Sequence, residues 1–120
     1  MILLSFKEKK LITSKKKIGD KVVLTVHEDI LDLKSGEEFK TALTDLYLKN
    51  EKEIVLDLGK IQLINSHGIG KILMFYKKFK DEGGQIYVAG LKGTIREIFE
   101  SLLLLNIIPE IELEIEPDKS

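Results

Sequence analysis

The chain has 120 residues, 19 basic against 20 acidic side chains for a net charge of −1, 43% hydrophobic residues and no cysteine. That length suits one domain burying roughly two-thirds of its unfolded surface, and the even charge balance argues against a general nucleic-acid binder. The lack of cysteine excludes disulfides and thiolate metal sites, and the run Met1 to Phe6 is too short and wrongly flanked for a signal peptide. The expectation is a cytoplasmic protein, neither membrane-inserted nor cofactor-bearing, forming one domain over 1–120. Its core is expected over about 11–115, with a candidate extra edge strand within 1–10 and a tail at 116–120. Lysines crowd Lys7 to Lys21 and glutamates crowd Glu110 to Glu116, and both runs read as solvated faces.

In chain order, a strand over about Leu11 to Lys17 is expected to turn at Ile18-Gly19-Asp20 into a second strand at Val22 to His27. There Val22, Leu24 and Val26 share one face, and Val23, Thr25 and His27 the other. Ser35 with Glu38 has capping-box spacing and opens a helix to about Lys49, whose stripe is Phe39, Ala42, Leu43, Leu46 and Tyr47. The strand after it buries Ile54, Leu56 and Leu58, with Val55 and Asp57 opposite. A second helix carries Ile69, Ile72, Leu73, Tyr76 and Phe79 and stops at Gly83-Gly84, ahead of a strand at Gln85 to Ala89.

Thr94 with Glu97 marks a third helix to about Leu105, in which Leu102 to Leu105 are expected to tighten the core, with at least one leucine facing solvent and open to a partner as the alternative. A last strand alternates Ile111, Leu113 and Ile115 with Glu110, Glu112, Glu114 and Glu116 as a half-buried edge. The pattern predicts an α/β fold: a mixed, mostly parallel central sheet with an N-terminal hairpin, and about three to four helices mainly covering one face.

The stretch most suggestive of a site is IVLDLGKIQLINSHGIGKIL, Ile54 to Leu73: a strand, a short loop and Asn65-Ser66-His67 opening a helix. Free amides and the positive dipole end gather there, which favours a negative group, and Gly68 and Gly70 are expected to let the first turn approach another backbone. Ser66 or Asn65 can cap the helix, which is the structural role expected of a serine at this place. His67 reads as a partner contact, ahead of a pH-sensitive group or a carrier of phosphate. No phosphate loop, nucleophile elbow or zinc-protease motif occurs, and His27 and His67 lack a third ligand, so neither catalysis nor a metal site is expected.

The motif VLDLxxxxxxxSxGxG followed by an amphipathic helix resembles the STAS domain of bacterial anti-sigma factor antagonists. In that family the turn reads Asp-Ser-Ser-Gly-Leu-Gly, and its second serine is phosphorylated by a partner that is both serine kinase and anti-sigma factor. Here Asn65 replaces the aspartate, Ser66 keeps the first serine, His67 stands at the acceptor position, and Gly68 and Gly70 are retained. Leu31-Asp32 resembles a family pair whose acid faces the kinase, though the preceding glycine is absent, with Glu28-Asp29 nearby. Leu103 stands where related chains commonly place a glycine.

The resemblance implies a non-enzymatic docking domain in partner switching, a monomer or weak dimer bound by a serine-kinase-type anti-sigma factor. Its docking surface would comprise Asp32, the turn Asn65, Ser66, His67, Gly68 and Ile69, and the flank Lys71, Met74 and Phe75, with Ser66 as a weak phosphoacceptor candidate. Two alternatives stay open: a STAS subunit of a membrane transporter or stress-signalling scaffold, and a nucleotide- or phosphate-binding protein or enzyme using Ser66 or His67.

Overall fold

Gly19 takes a left-handed φ of 61°, which reverses the chain between β1 (Thr13–Ile18) and β2 (Lys21–Val26) and pairs them antiparallel from Thr13↔Val26 to Ile18↔Lys21. The computed structural model describes residues 12–113, so the candidate edge strand at Met1 to Phe6, the start of the first long strand at Leu11, and Glu114 to Ser120 with the end of the expected last strand lie outside the described residues. Beyond the hairpin, α1 (Leu33–Leu48) leads to β3 (Glu53–Asp57), α2 (Ser66–Asp81) to β4 (Gln85–Ala89), and α3 (Gly93–Ser101) to a short 3₁₀ turn at Leu104–Asn106. The sheet order is β1-β2-β3-β4, with β2, β3 and β4 mutually parallel, as the alternation of strands and helices predicts.

Period-two alternation sorts the sheet residues onto two faces. Val22, Leu24, Val26, Ile54, Leu56, Ile86 and Val88 join Phe39, Leu43 and Leu46 of α1, Ile69, Ile72, Phe75 and Phe79 of α2, and Ile95 and Phe99 of α3 in one core. Tyr47 meets Phe79 edge-on at 5.5 Å and locks α1 to α2. Val23, Val55 and Ala89 form a small cluster on the opposite face, under Tyr87, Ile111 and Leu113.

Among the described residues the expected last strand is reduced to a single parallel bridge, Val88↔Glu110, flanked by hydrogen bonds from Val88 N to Pro109 O and from Ile111 N to Val88 O. Ile111 and Leu113 still turn inward while Glu110 and Glu112 face water, so the alternation reported burial correctly without a strand ladder.

Helix boundaries differ from the sequence reading at three places. The first helix starts three residues ahead of the Ser35 expectation: Asp32, in extended backbone, is the N-cap, and its Oδ1 accepts from Ser35 N at 2.9 Å while Ser35 Oγ accepts from Asp32 N. Ser35 is thus the third residue of the box, not its cap. Glu38 lies one turn further in, its Oε1 buried with no partner among the described residues. The third helix starts at Gly93 behind Lys92, with no side-chain cap, because Gly93 at φ 55° steers the chain into the helix before Thr94.

That third helix also ends at Ser101, short of the expected Leu105, since Leu103 takes a left-handed conformation, φ 56° and ψ 31°. The same position past α1 is Asn50 at φ 62°, and past α2 Gly83 at φ 83°. Asparagine and glycine enter this region readily, and a leucine does not. The tighter core expected of Leu102 to Leu105 is therefore only half formed: Leu104 is buried, whereas Leu102 and Leu103 are exposed.

Candidate functional site

Two loops, each leading into a helix, are zipped together at the end of the sheet. Ile30 and Ile64 form a parallel bridge, Asn65 N donates to Ile30 O at 2.9 Å and Ile30 N to Leu63 O at 3.3 Å. Asp29 Oδ1 accepts from Gln62 N at 2.8 Å and Leu63 N at 3.2 Å, closing the zipper. The starts of α1 and α2 are consequently held side by side.

Asn65 is the N-cap of α2, in extended backbone, and its Oδ1 accepts from Gly68 N at 2.9 Å while its carbonyl accepts from Ile69 N at 3.0 Å. An asparagine here satisfies one of the four free amides of the first turn. Ser66 is therefore not the cap, as its structural reading had it, but the first helical residue, and both it and His67 are exposed.

The two glycines of the turn do different things from the expected backbone approach. A Cβ on Gly68 would stand 2.6 Å from Ile64 Cγ1 and 3.2 Å from Ile30 Cγ2, so the close neighbours are side chains of the zipper rather than a second backbone. A Cβ on Gly70 would meet nothing within 4 Å.

The other expected surface residues divide. Asp32 is exposed, and its carboxyl is held below the ordinary 3.8 first by the backbone amide of Ser35 and then by the Ser35 hydroxyl. Met74 is 41% exposed and Lys71 half-buried, its Nζ standing 3.9 Å from where a Cβ on Gly36 of α1 would be. Phe75, expected on the outer flank, is 2% exposed and belongs to the core, because it falls three residues after Ile72 and four before Phe79 on the inward stripe. Ile69 and Gly68 are buried as well, so they shape the turn from beneath.

Sequence reasoning gave no role to Asp29, which pins the zipper, nor any to the exposed side chains of Leu31, Leu33 and Leu63, of which Leu33 is 80% exposed. Asp29 carried no signal because its partners are amides 33 and 34 residues away. Asp57 serves the loop locally: it takes hydrogen bonds from Thr25 Oγ1 and Gly59 N. His27 shares a hydrogen bond with Ser14 on the exposed edge. A concavity of about 620 Å³ past β3 and β4 is lined by Asp57, Lys60, Arg96 and Glu110 among others, and neither Ser66 nor His67 lines it. Among the described residues no three His, Cys, Asp or Glu gather as metal ligands, and no helix is long and apolar enough to cross a membrane.

The chain is similar to known proteins in sequence and in fold. The model of the STAS domain family matches residues 13–117. BtrV of Bordetella bronchiseptica, provisionally named an anti-sigma factor antagonist, is 28% identical over 90 residues, covering 75% of this chain and 78% of its own. A Thermotoga maritima protein, TM1081, with the same provisional name superposes with a TM-score of 0.76 at 20% identity, over 86% of this chain and 87% of its own. The anti-sigma factor antagonist SpoIIAA, unphosphorylated, superposes with a TM-score of 0.63 at 13% identity, over 89% of this chain and 92% of its own.

Proposed function

Because the chain belongs to the STAS domain family, we propose that it is an anti-sigma factor antagonist, a non-catalytic module that docks on a serine-kinase-type anti-sigma factor through the turn Asn65 to Gly68. One observation carries the reading. Asn65 does the capping, so Ser66 and His67 are left free to face solvent, alongside the Leu31–Leu33 stretch that the Ile30–Ile64 bridge holds next to them. The surface offered to the partner is Asp32, Asn65, Ser66, His67 and Met74, flanked by Lys71, with Gly68, Ile69 and Phe75 supporting the turn from within. Such a partner is intracellular, which puts the chain in the cytoplasm, and we read the chain itself as a monomer or weak dimer.

The chemistry of the turn explains what a switch there would do. A phosphate at a helix start adds about −1.5 to −2 charge, which free amides accept and an acidic or apolar partner surface rejects. With His67 at the acceptor position, this chain lacks the expected hydroxyl, and Ser66 is displaced from it by one residue, about 100° around the helix. The chain therefore stays competent to dock where a serine-bearing relative would be switched off.

Intact-mass analysis after incubation with a purified kinase-type anti-sigma factor and ATP tests this. Wild type is expected to remain unmodified, His67→Ser to gain one phosphate, and His67→Asp to lose the partner by at least about tenfold. Stoichiometric phosphate at Ser66 of the wild type overturns the reading.

A further inference from the structure

The outward face of α2 is unlike those of the other two helices. His67, Gly70, Lys71 and Met74 follow one another at helical spacing, with Lys77 and Lys78 one turn on. Lys71, Lys77, Lys78 and Lys80 oppose a single acid, Asp81, which pairs with Lys77 at 3.3 Å. On α1 the exposed charges alternate in sign, Lys34 and Lys40 with Glu37, and on α3 Arg96 is tied to Glu100 and Glu110. Among the three helices, the basic excess is therefore confined to the one that begins at the docking turn, while the lysines of the hairpin at Lys15 and Lys17 are paired with Asp45 and Glu51.

Gly70 lies in the middle of that face. A glycine inside a helix is less stable than an alanine, because it loses more backbone freedom on folding. Here nothing inside the molecule requires it, since a Cβ would enter open space and the backbone is helical. The bare turn exposes main chain between His67 and the half-open Met74, and lets another backbone come closer than any side chain would permit.

Resting on the docking reading above, we propose that Gly70 is the contact point of the partner's main chain, and that the partner is a protein whose patch facing α2 is acidic around an apolar centre. Its carboxylates pair with Lys71 and with Lys78, whose Nζ lies 5.0 Å from the Tyr47 ring centroid, and its apolar centre covers Met74, which is 41% exposed.

The test uses the purified protein that wild-type chain captures and His67→Asp releases, titrated against variants of the full chain. Gly70→Ala is expected to raise the thermal midpoint by about 4 °C and yet weaken binding by roughly tenfold. Lys71→Glu combined with Lys78→Glu is expected to weaken binding about tenfold at low salt and much less at high salt. If His67→Asp releases the protein while Gly70→Ala binds as wild type does, the contact at Gly70 is refuted and the docking turn stands. If no protein is released by His67→Asp, both fail. Tighter binding of single-stranded RNA or anionic phospholipid vesicles than of any protein, abolished by the lysine reversals, overturns the acidic-partner assignment.

Discussion

The N-terminal half of α2 and the corner after α3 contain opposite mismatches between residue and backbone. At Gly70 an ordinary helical conformation, with open space outside it, carries a glycine that the fold does not need. At Leu103 a left-handed conformation, which the chain fills with asparagine and glycine after its other two helices, carries a leucine that is 63% exposed. Both choices lower stability by about 1 kcal/mol, one through backbone entropy and one through the crowding of Cβ against the following carbonyl. Only the first lies on a face with a concentrated charge and a proposed contact. The leucine at the corner has no explanation in the structure.

The largest expected effect separates the two glycines of the same turn. Gly68→Val is expected to lose roughly 2–3 kcal/mol, read as a lower urea midpoint, because its side chain would collide with Ile64 and Ile30 of the zipper. The opposite sign at Gly70 would establish that the motif's two glycines serve different ends. A smaller effect is expected at the corner. Leu103→Gly should gain about 1 kcal/mol and raise the thermal midpoint by a few degrees without altering capture of the partner. Loss of capture there would extend the docking surface to the far end of α3, and would erase the contrast with Gly70.

The smallest effect concerns Asp32, whose carboxyl sits below 3.8 in the folded chain because Ser35 donates to it. A depressed folded value means that its contribution is fully present above 3.8 and is lost as pH falls through the lower, folded value. Wild type should therefore lose slightly more stability than Asp32→Asn between about pH 4 and pH 2, measured by urea unfolding at each pH. Equal slopes for the two proteins would mean that the exposed cap is screened to nothing.

The layout of the sheet was legible because each strand needs only its own alternation to announce its buried face. Val22, Leu24 and Val26, then Ile54 and Leu56, point to the helices as their spacing requires, and Gly19 marks the hairpin. The turn at Asn65 to Gly68 was legible as an exposed helix start. Which residue would cap it was not, since Asn65 and Ser66 are both good caps and differ by one position. The same tie occurred at α1, where Asp32 and Ser35 both had a suitable partner three residues on.

The sequence by itself determined the order of strands and helices, the side of the sheet that carries the core, and the place where a polar turn would leave the surface. These follow from hydrophobic spacing along a single segment. Tertiary structure decided which capping residue won, that Phe75 turns inward and Met74 outward, and that Gly68 is confined while Gly70 is bare. Each of those depends on the Ile30–Ile64 bridge and on the rotation of α2 against its neighbours. Such contacts join residues more than thirty positions apart, and local spacing holds no record of them.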